Sequence, residues 1–145
     1  MNYEDFTVGQ EYQQTVHITQ DQINAFAQVS GDHNPLHTDP EFARKSVFGK
    51  TVAHGMYGLS LISAALGTHF PGFGTIYMGQ EAKFLKPIFI DESVRIRLRV
   101  KELQPEKKRM LIATTIVKEN GEIALDGEAR VQYNPDLFGV GTGPA

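Results

Sequence analysis

Two stretches of this chain carry the residue types needed to move protons on a small organic substrate. The first is Gly31-Asp-His-Asn-Pro-Leu-His37, which places Asp32, Asn34 and His37 close together in sequence. A carboxylate and an imidazole that converge act as general base and general acid near neutral pH. Their spacing rules out the two regular ways of converging. Five residues of helix leave two side chains roughly 140° apart, and on a strand an odd separation points them to opposite faces. Pro35 also biases Asn34 away from helical dihedrals and supplies no amide donor. An irregular loop is therefore expected to fold Asp32 onto His37, with the Asn34 amide free to hold a water or a neighbouring side chain. A plain turn accounts for the same residues: Asp32, Asn34 and Pro35 then cap Pro35-Leu36, and His37 is incidental.

The second stretch is Ala53-His-Gly-Met56, followed by a run that is apolar or small on nearly every side from Tyr57 to Phe70. A helix apolar all round is buried in a core or a membrane. Gly58 and Gly67 break this run, Gly55 and His54 precede it, and His69 stands near its end. It falls short of the ~18 clean apolar residues that a span needs, so a buried central helix is expected. Gly55 sits near its start, where unpaired N–H groups and the positive end of the dipole point outward. Such a terminus stabilises an oxyanion developing on a carbonyl. A plain helix start, with Gly55 and Gly58 only easing close packing, fits the same residues.

At 145 residues the chain is read as one domain over 1-145, large enough for a real core, with 134-145 as a loose tail rich in Pro and Gly. A net charge of −3 argues against a general nucleic-acid binder, which would be basic. There is no cysteine, which excludes disulfides, thiolate chemistry and Cys-ligated metal. His33 and His37 stand four apart, but Pro35 between them spoils a shared helical face for a metal. The acidic, polar opening Met1-Asn-Tyr-Glu-Asp-Phe6 is unlike a secretory signal, so a cytoplasmic protein is expected.

The flanking elements follow from periodicity. Glu11 to Ile18 alternates weakly as a short strand. Thr19-Gln-Asp-Gln22 matches a capping box, and the short amphipathic helix behind it ends at Gly31, delivering the chain into the Asp32 segment. Asp39-Pro40 signals a further helical turn or two. After Pro71-Gly72-Phe73-Gly74 the period changes to two. Thr75 to Phe84, Val94 to Lys101, Met110 to Lys118 and Ile123 to Tyr133 read as strands. Asn120-Gly121 predicts a type I′ hairpin. The row Arg95, Arg97, Arg99 and Lys101 reads as a solvated sheet face paired to Asp126 and Glu128 rather than a phosphate site. The fold class is α+β, most economically a curved antiparallel sheet wrapped around the apolar helix.

Ser30-Gly-Asp-His-Asn-Pro-Leu-His37 resembles the signature of the (R)-specific enoyl-CoA hydratases of the MaoC-like dehydratase family: an Asp, any residue, an Asn, and a His three further on. Ala53-His-Gly-Met56 resembles that family's approach to its central helix. Lys83-Phe-Leu-Lys-Pro-Ile-Phe-Ile-Asp91 is similar to its connection into the following strand. The likeness spans about Phe6 to Tyr133. It implies a hot-dog fold, a homodimer joined edge to edge with higher assembly open, and reversible syn hydration of a trans-2-enoyl-CoA to the (R)-3-hydroxyacyl-CoA. It also implies no metal and no cofactor, with coenzyme A entering as part of the substrate, and no nucleic acid or membrane partner. By the same likeness Asp32 and His37 match the catalytic pair and Asn34 its accompanying residue. Gly55 matches the backbone donor to the thioester oxygen, and Ser63 a polar contact in the pocket. Leu66 and Val131 are expected from periodicity to line an acyl pocket. Alternatives are a 3-hydroxyacyl-acyl-carrier-protein dehydratase, a hot-dog thioesterase, and a non-catalytic acyl-CoA-binding protein. Acyl chain length and pathway are left open.

Overall fold

Period-two alternation becomes a five-stranded antiparallel sheet in the computed structural model, which describes residues 1–139. The strands are β1 (Glu11–His17), β2 (Thr75–Phe84), β3 (Ser93–Gln104), β4 (Arg109–Lys118) and β5 (Ile123–Tyr133), in the order β1-β3-β4-β5-β2. Helices α1 (Gln20–Ser30), α2 (Pro35–Thr38), α3 (Pro40–Arg44) and α4 (Gly55–Thr68) lie between β1 and β2 in the chain. This is the expected α+β hot-dog arrangement.

The inward row of β3, Val94, Ile96, Leu98 and Val100, is fully buried or nearly so. It faces Ile62, Ala65 and Leu66 of α4, which are also fully buried and belong to the same core cluster. Gly58 permits this approach, because a Cβ there would lie 3.2 Å from Ile116 Cδ1. The opposite face of α4 is different. Met56, Ser63, Ala64 and Gly67 are exposed, so the sheet of one chain covers only part of a helix whose sequence is apolar or small almost all round. β2 is open in the same way: it is an edge strand, with Ile76, Tyr77 and Met78 exposed.

Two local expectations are corrected. The β4–β5 hairpin is not type I′. Asn120 is absent from the residues of positive φ, whereas Gly121 has φ +86°, and Gly121 N–H donates to Lys118 O at 2.9 Å. Glu119-Asn120-Gly121 is a three-residue loop whose left-handed glycine makes a bulge, the next commonest hairpin closure. The basic row of β3 does not face Asp126 and Glu128 as neighbours either, because β4 lies between β3 and β5. Arg97 meets Glu11 of β1 at 3.5 Å, and Lys101 alone of the row reaches Glu128, at 2.6 Å. Strand order decides this, and alternation carries no information on strand order.

The tail expected over 134-145 lies partly outside the described residues. Within them, Pro135–Phe138 forms a 3-10 turn, and Phe138 stands edge-on to Phe73 with centroids 5.1 Å apart.

Candidate active site

The capping box of α1 forms as read. Thr19 Oγ1 accepts from Gln22 N–H and Gln22 Oε1 accepts from Thr19 N–H, both at 3.2 Å. The helix closes on Gly31 at φ +81°, a turn a side chain would strain, and the chain is handed to Asp32. From here the segment is more regular than expected. Asp32 Oδ1 accepts from Asn34 N–H at 3.2 Å, and Asn34 Oδ1 accepts from Leu36 N–H at 3.1 Å, making Asn34 the N-cap of the single-turn α2 with Pro35 at its first position. The carbonyl oxygen of Asn34 is thus engaged by backbone rather than by a water between Asp32 and His37. Capping and convergence, two competing readings of the sequence, occur together.

Three contacts hold α2 in place. Gln20 Nε2 donates to His37 O at 2.9 Å, Thr51 Oγ1 donates to Gln20 Oε1 at 3.0 Å, and Val52 N–H donates to Leu36 O at 3.1 Å. His37 Nδ1 lies 2.7 Å from Val52 O. A carbonyl only accepts, so this nitrogen carries the hydrogen, and neutral His37 presents a lone pair on Nε2. A ligand atom of Asp32, one of His37 and one of His54 all lie within 4.8 Å of one another. Asp32 and His37, the pair picked out by spacing, are therefore brought together.

His54 is the residue the sequence reading named only as a flank. It is 3% exposed. Its Nε2 donates to the Asp32 carbonyl at 3.1 Å, and its ring lies 3.9 Å from that of His37, tilted by 30°. Phe26 of α1 meets it edge-on at 5.0 Å. Burial pushes the His54 pKa below the usual histidine value, against the opposing pull of the Asp32 carbonyl. A histidine immediately before the helix glycine, in an apolar setting, was the available signal. By distance Asp32, His37 and His54 could also hold a metal ion, but His37 Nδ1 and His54 Nε2 already donate to the Val52 and Asp32 carbonyls, which leaves only the other nitrogen of each ring as a ligand.

His54 is also the N-cap of α4, and its side chain does not cap the helix. Of the first-turn amides, that of Tyr57 donates to His54 O at 3.0 Å, whereas those of Gly55 and Met56 have no intrahelical acceptor. Gly55 is exposed, and a Cβ there would lie 2.8 Å from the Phe84 ring. Beside it opens a cavity of about 340 Å³ walled by Val52, His54, Gly55, Gly58, Phe48, Phe84, Ile88 and Leu125, among others. The β2–β3 connection forms one wall and is clamped by buried Lys118, whose Nζ donates to Pro87 O at 2.5 Å and pairs with Glu92 at 3.6 Å. Asp32 and His37 border this cavity through His54 and do not line it. Ser63 lies on the exposed face of α4, away from this lining. Leu66 and Val131 do not line it either: both are fully buried in the core, where inward periodicity leads when the helix packs directly on the sheet. No helix among the described residues is long and apolar enough to cross a membrane.

A family profile described as MaoC like domain matches residues 5–121. The chain is 39% identical over 130 residues to a 3-hydroxybutyryl-CoA dehydratase of Methylorubrum extorquens, covering 90% of this chain and 82% of that one. It is 36% identical over 132 residues to an (R)-specific enoyl-CoA hydratase of Aeromonas caviae, covering 91% and 98%. The solved structure of R-hydratase PhaJ1 from Pseudomonas aeruginosa, in its unliganded form, superposes with a TM-score of 0.88 at 39% identity, covering 91% of this chain and 84% of that one.

Proposed function

The chain belongs to the MaoC-like dehydratase family, and from that premise we propose that it is an (R)-specific enoyl-CoA hydratase, a hydro-lyase adding water reversibly to trans-2-enoyl-CoA. The observation that carries this reading is the convergence of Asp32 and His37 next to the open amide end of α4.

The reaction needs three things: a nucleophile made from water, a proton for the α-carbon, and a partner for the charge that gathers on the thioester oxygen. Asp32 and His37 bring ligand atoms within 4.8 Å of each other, and with its Nδ1–H given to Val52 O the His37 ring keeps Nε2 as an acceptor beside the carboxylate's own. One water donates an O–H to each and keeps its oxygen lone pair for C3 of the enoyl group. As the C–O bond forms, the water's proton passes to the pair, and C2 takes a proton from the same side. Addition from one face is syn. The two groups share one proton inventory, so base and acid belong to the pair rather than to fixed members. The Gly55 N–H donates to the thioester oxygen as it becomes enolate-like. Asn34 contributes by fixing the turn between the two reacting groups. Run backwards, the same steps expel water from a 3-hydroxyacyl-CoA.

Hydration changes no net oxidation state, and acid, base and amide supply every step. The enzyme therefore uses no metal and no redox cofactor, and coenzyme A enters only as the thioester's carrier. It works as a homodimer in the cytoplasm. Support for the dimer comes from the open backbone edge of β2 and the exposed small-residue face of α4.

The test is loss of enoyl absorbance with crotonyl-CoA and longer enoyl-CoAs, with chiral analysis of the product. Formation of the (R)-3-hydroxyacyl-CoA, abolished by Asp32→Asn, is expected. An inert native protein, or thiol release instead of hydration, overturns the assignment.

A further inference from the structure

Resting on the reading of Asp32 and His37 as the reacting pair, we propose that His54 is the positioning residue of this site, fixing the Asp32 backbone and the His37 ring relative to the Gly55 amide. It lines the cavity beside Gly55 but performs no step of the reaction itself. Its effect passes through the three groups it touches.

Its place is unusual for a helix N-cap. Ser, Thr, Asp and Asn are favoured there because a short side-chain oxygen takes up a first-turn amide. His54 makes no such bond, so the helix end stays open beside Gly55. Its Nε2 instead crosses 22 residues of chain to the Asp32 carbonyl, 3.1 Å away. A carbonyl cannot donate, so Nε2 carries the hydrogen and Nδ1 is left as a bare acceptor. That Nδ1 is buried and has no hydrogen-bond partner among the described residues. An unmet buried acceptor is destabilising. Leucine or phenylalanine would fill the same space without that cost, so packing does not account for an imidazole at this position. The donated Nε2–H and the ring face do.

The ring face covers His37. With Nδ1–H tied to Val52 O at 2.7 Å and one face against His54 at 3.9 Å, the His37 imidazole has little rotational freedom. Phe26 seats the outer edge of His54 at 5.0 Å. Asp32 and His37 are the titratable groups facing His54, and the Phe26 ring is neutral. Burial holds the His54 pKa below the usual histidine value, so the ring stacked on His37 resists taking a charge. Displacements of about 1 Å in a reacting group cost on the order of 100-fold in rate, which is the scale of effect a positioning residue controls.

The test compares His54→Phe, which keeps a ring and loses the donor, with His54→Gln, which keeps a donor and loses the ring. Turnover of crotonyl-CoA is read alongside the imidazole nitrogen-15 spectrum of His37. Expected is a fall in kcat of about 10- to 100-fold in each variant with KM little changed. His37 should pass from one tautomer to a mixture, and Gln should retain more activity than Phe if the Asp32 bond dominates. Folded variants with native kcat and an unchanged His37 spectrum overturn the proposal. Should neither variant fold, the native protein decides: His54 must be protonated on Nε2, and a hydrogen on Nδ1 overturns it. Active native enzyme, dead Asp32→Asn and indifferent His54 variants sink this inference alone. An inert native enzyme sinks the hydratase reading beneath it.

Discussion

The middle of the sheet and the segment from Gly31 to Gly55 solve opposite problems. In β3, β4 and β5 the inward side chains Ile96, Leu98, Ile112 and Ala129 are fully buried, and the buried hydroxyl of Thr114 is met by Gln80 Nε2 at 3.0 Å. The Gly31–Gly55 segment keeps an exposed carboxylate at Asp32 and an uncapped helix end at Gly55. One region minimises its free energy. The other holds polar groups unsatisfied by the protein, which leaves them for a substrate and a water. The difference predicts that the two regions fail differently when broken.

The largest effect is expected at the pair. Asp32→Asn and His37→Gln should each lower enoyl-CoA hydration by about 100- to 10,000-fold, with thermal melting near native, since Asp32 is exposed and its turn survives as Asn. Native turnover in either variant would erase the contrast. Ile112→Ala, in the centre of β4, should do the reverse. Urea unfolding is expected to show a loss of about 2–5 kcal/mol, while kcat per folded molecule holds. A fall in kcat with stability intact would mean that the sheet enters the chemistry.

A smaller effect links the regions through pH. An unfolded histidine takes up a proton near pH 6.5, whereas burial holds that of folded His54 lower. Below about pH 6.5 the unfolded state therefore binds more protons, and stability falls as pH drops toward the depressed folded value. The slope is at most about 1.4 kcal/mol per pH unit. Above about 6.5 the contribution is complete. Urea melts across this range should flatten in His54→Gln, and an unchanged slope would free His54 of this role. Smallest is Thr19→Ala, which removes one half of the α1 capping box and should cost about 1 kcal/mol in stability by the same urea measurement. It should leave His37 in place, because Gln20 still holds the His37 carbonyl.

Elements were legible in sequence where the physics is local. The alternation of Val94, Ile96, Leu98 and Val100 names a strand face because successive strand residues point to opposite sides. Thr19 and Gln22 name a helix start because the bonds that close it span three residues. Asp32 and His37 stood out by type and spacing, and the structure brings them together, although the turn that joins them was not legible. Asn34 could cap α2 or hold a water, and one residue's options are not ranked by its neighbours alone.

His54 was out of reach for a different reason. Nothing within four residues of it specifies that its ring will meet the Asp32 carbonyl and the His37 face, contacts that exist only once α1, α2 and α4 have converged on one core. The partners of the basic row wait on strand order in the same way, and the placement of Leu66 and Val131 on how closely α4 lies against the sheet. The amino-acid order by itself set the elements, their buried faces and the residue types of the Asp32–His37 pair, since dihedral preferences and periodicity act over a few residues. Tertiary structure decided which strand lies beside which, what surrounds the pair and where the cavity opens, since those follow from packing between segments far apart in the chain.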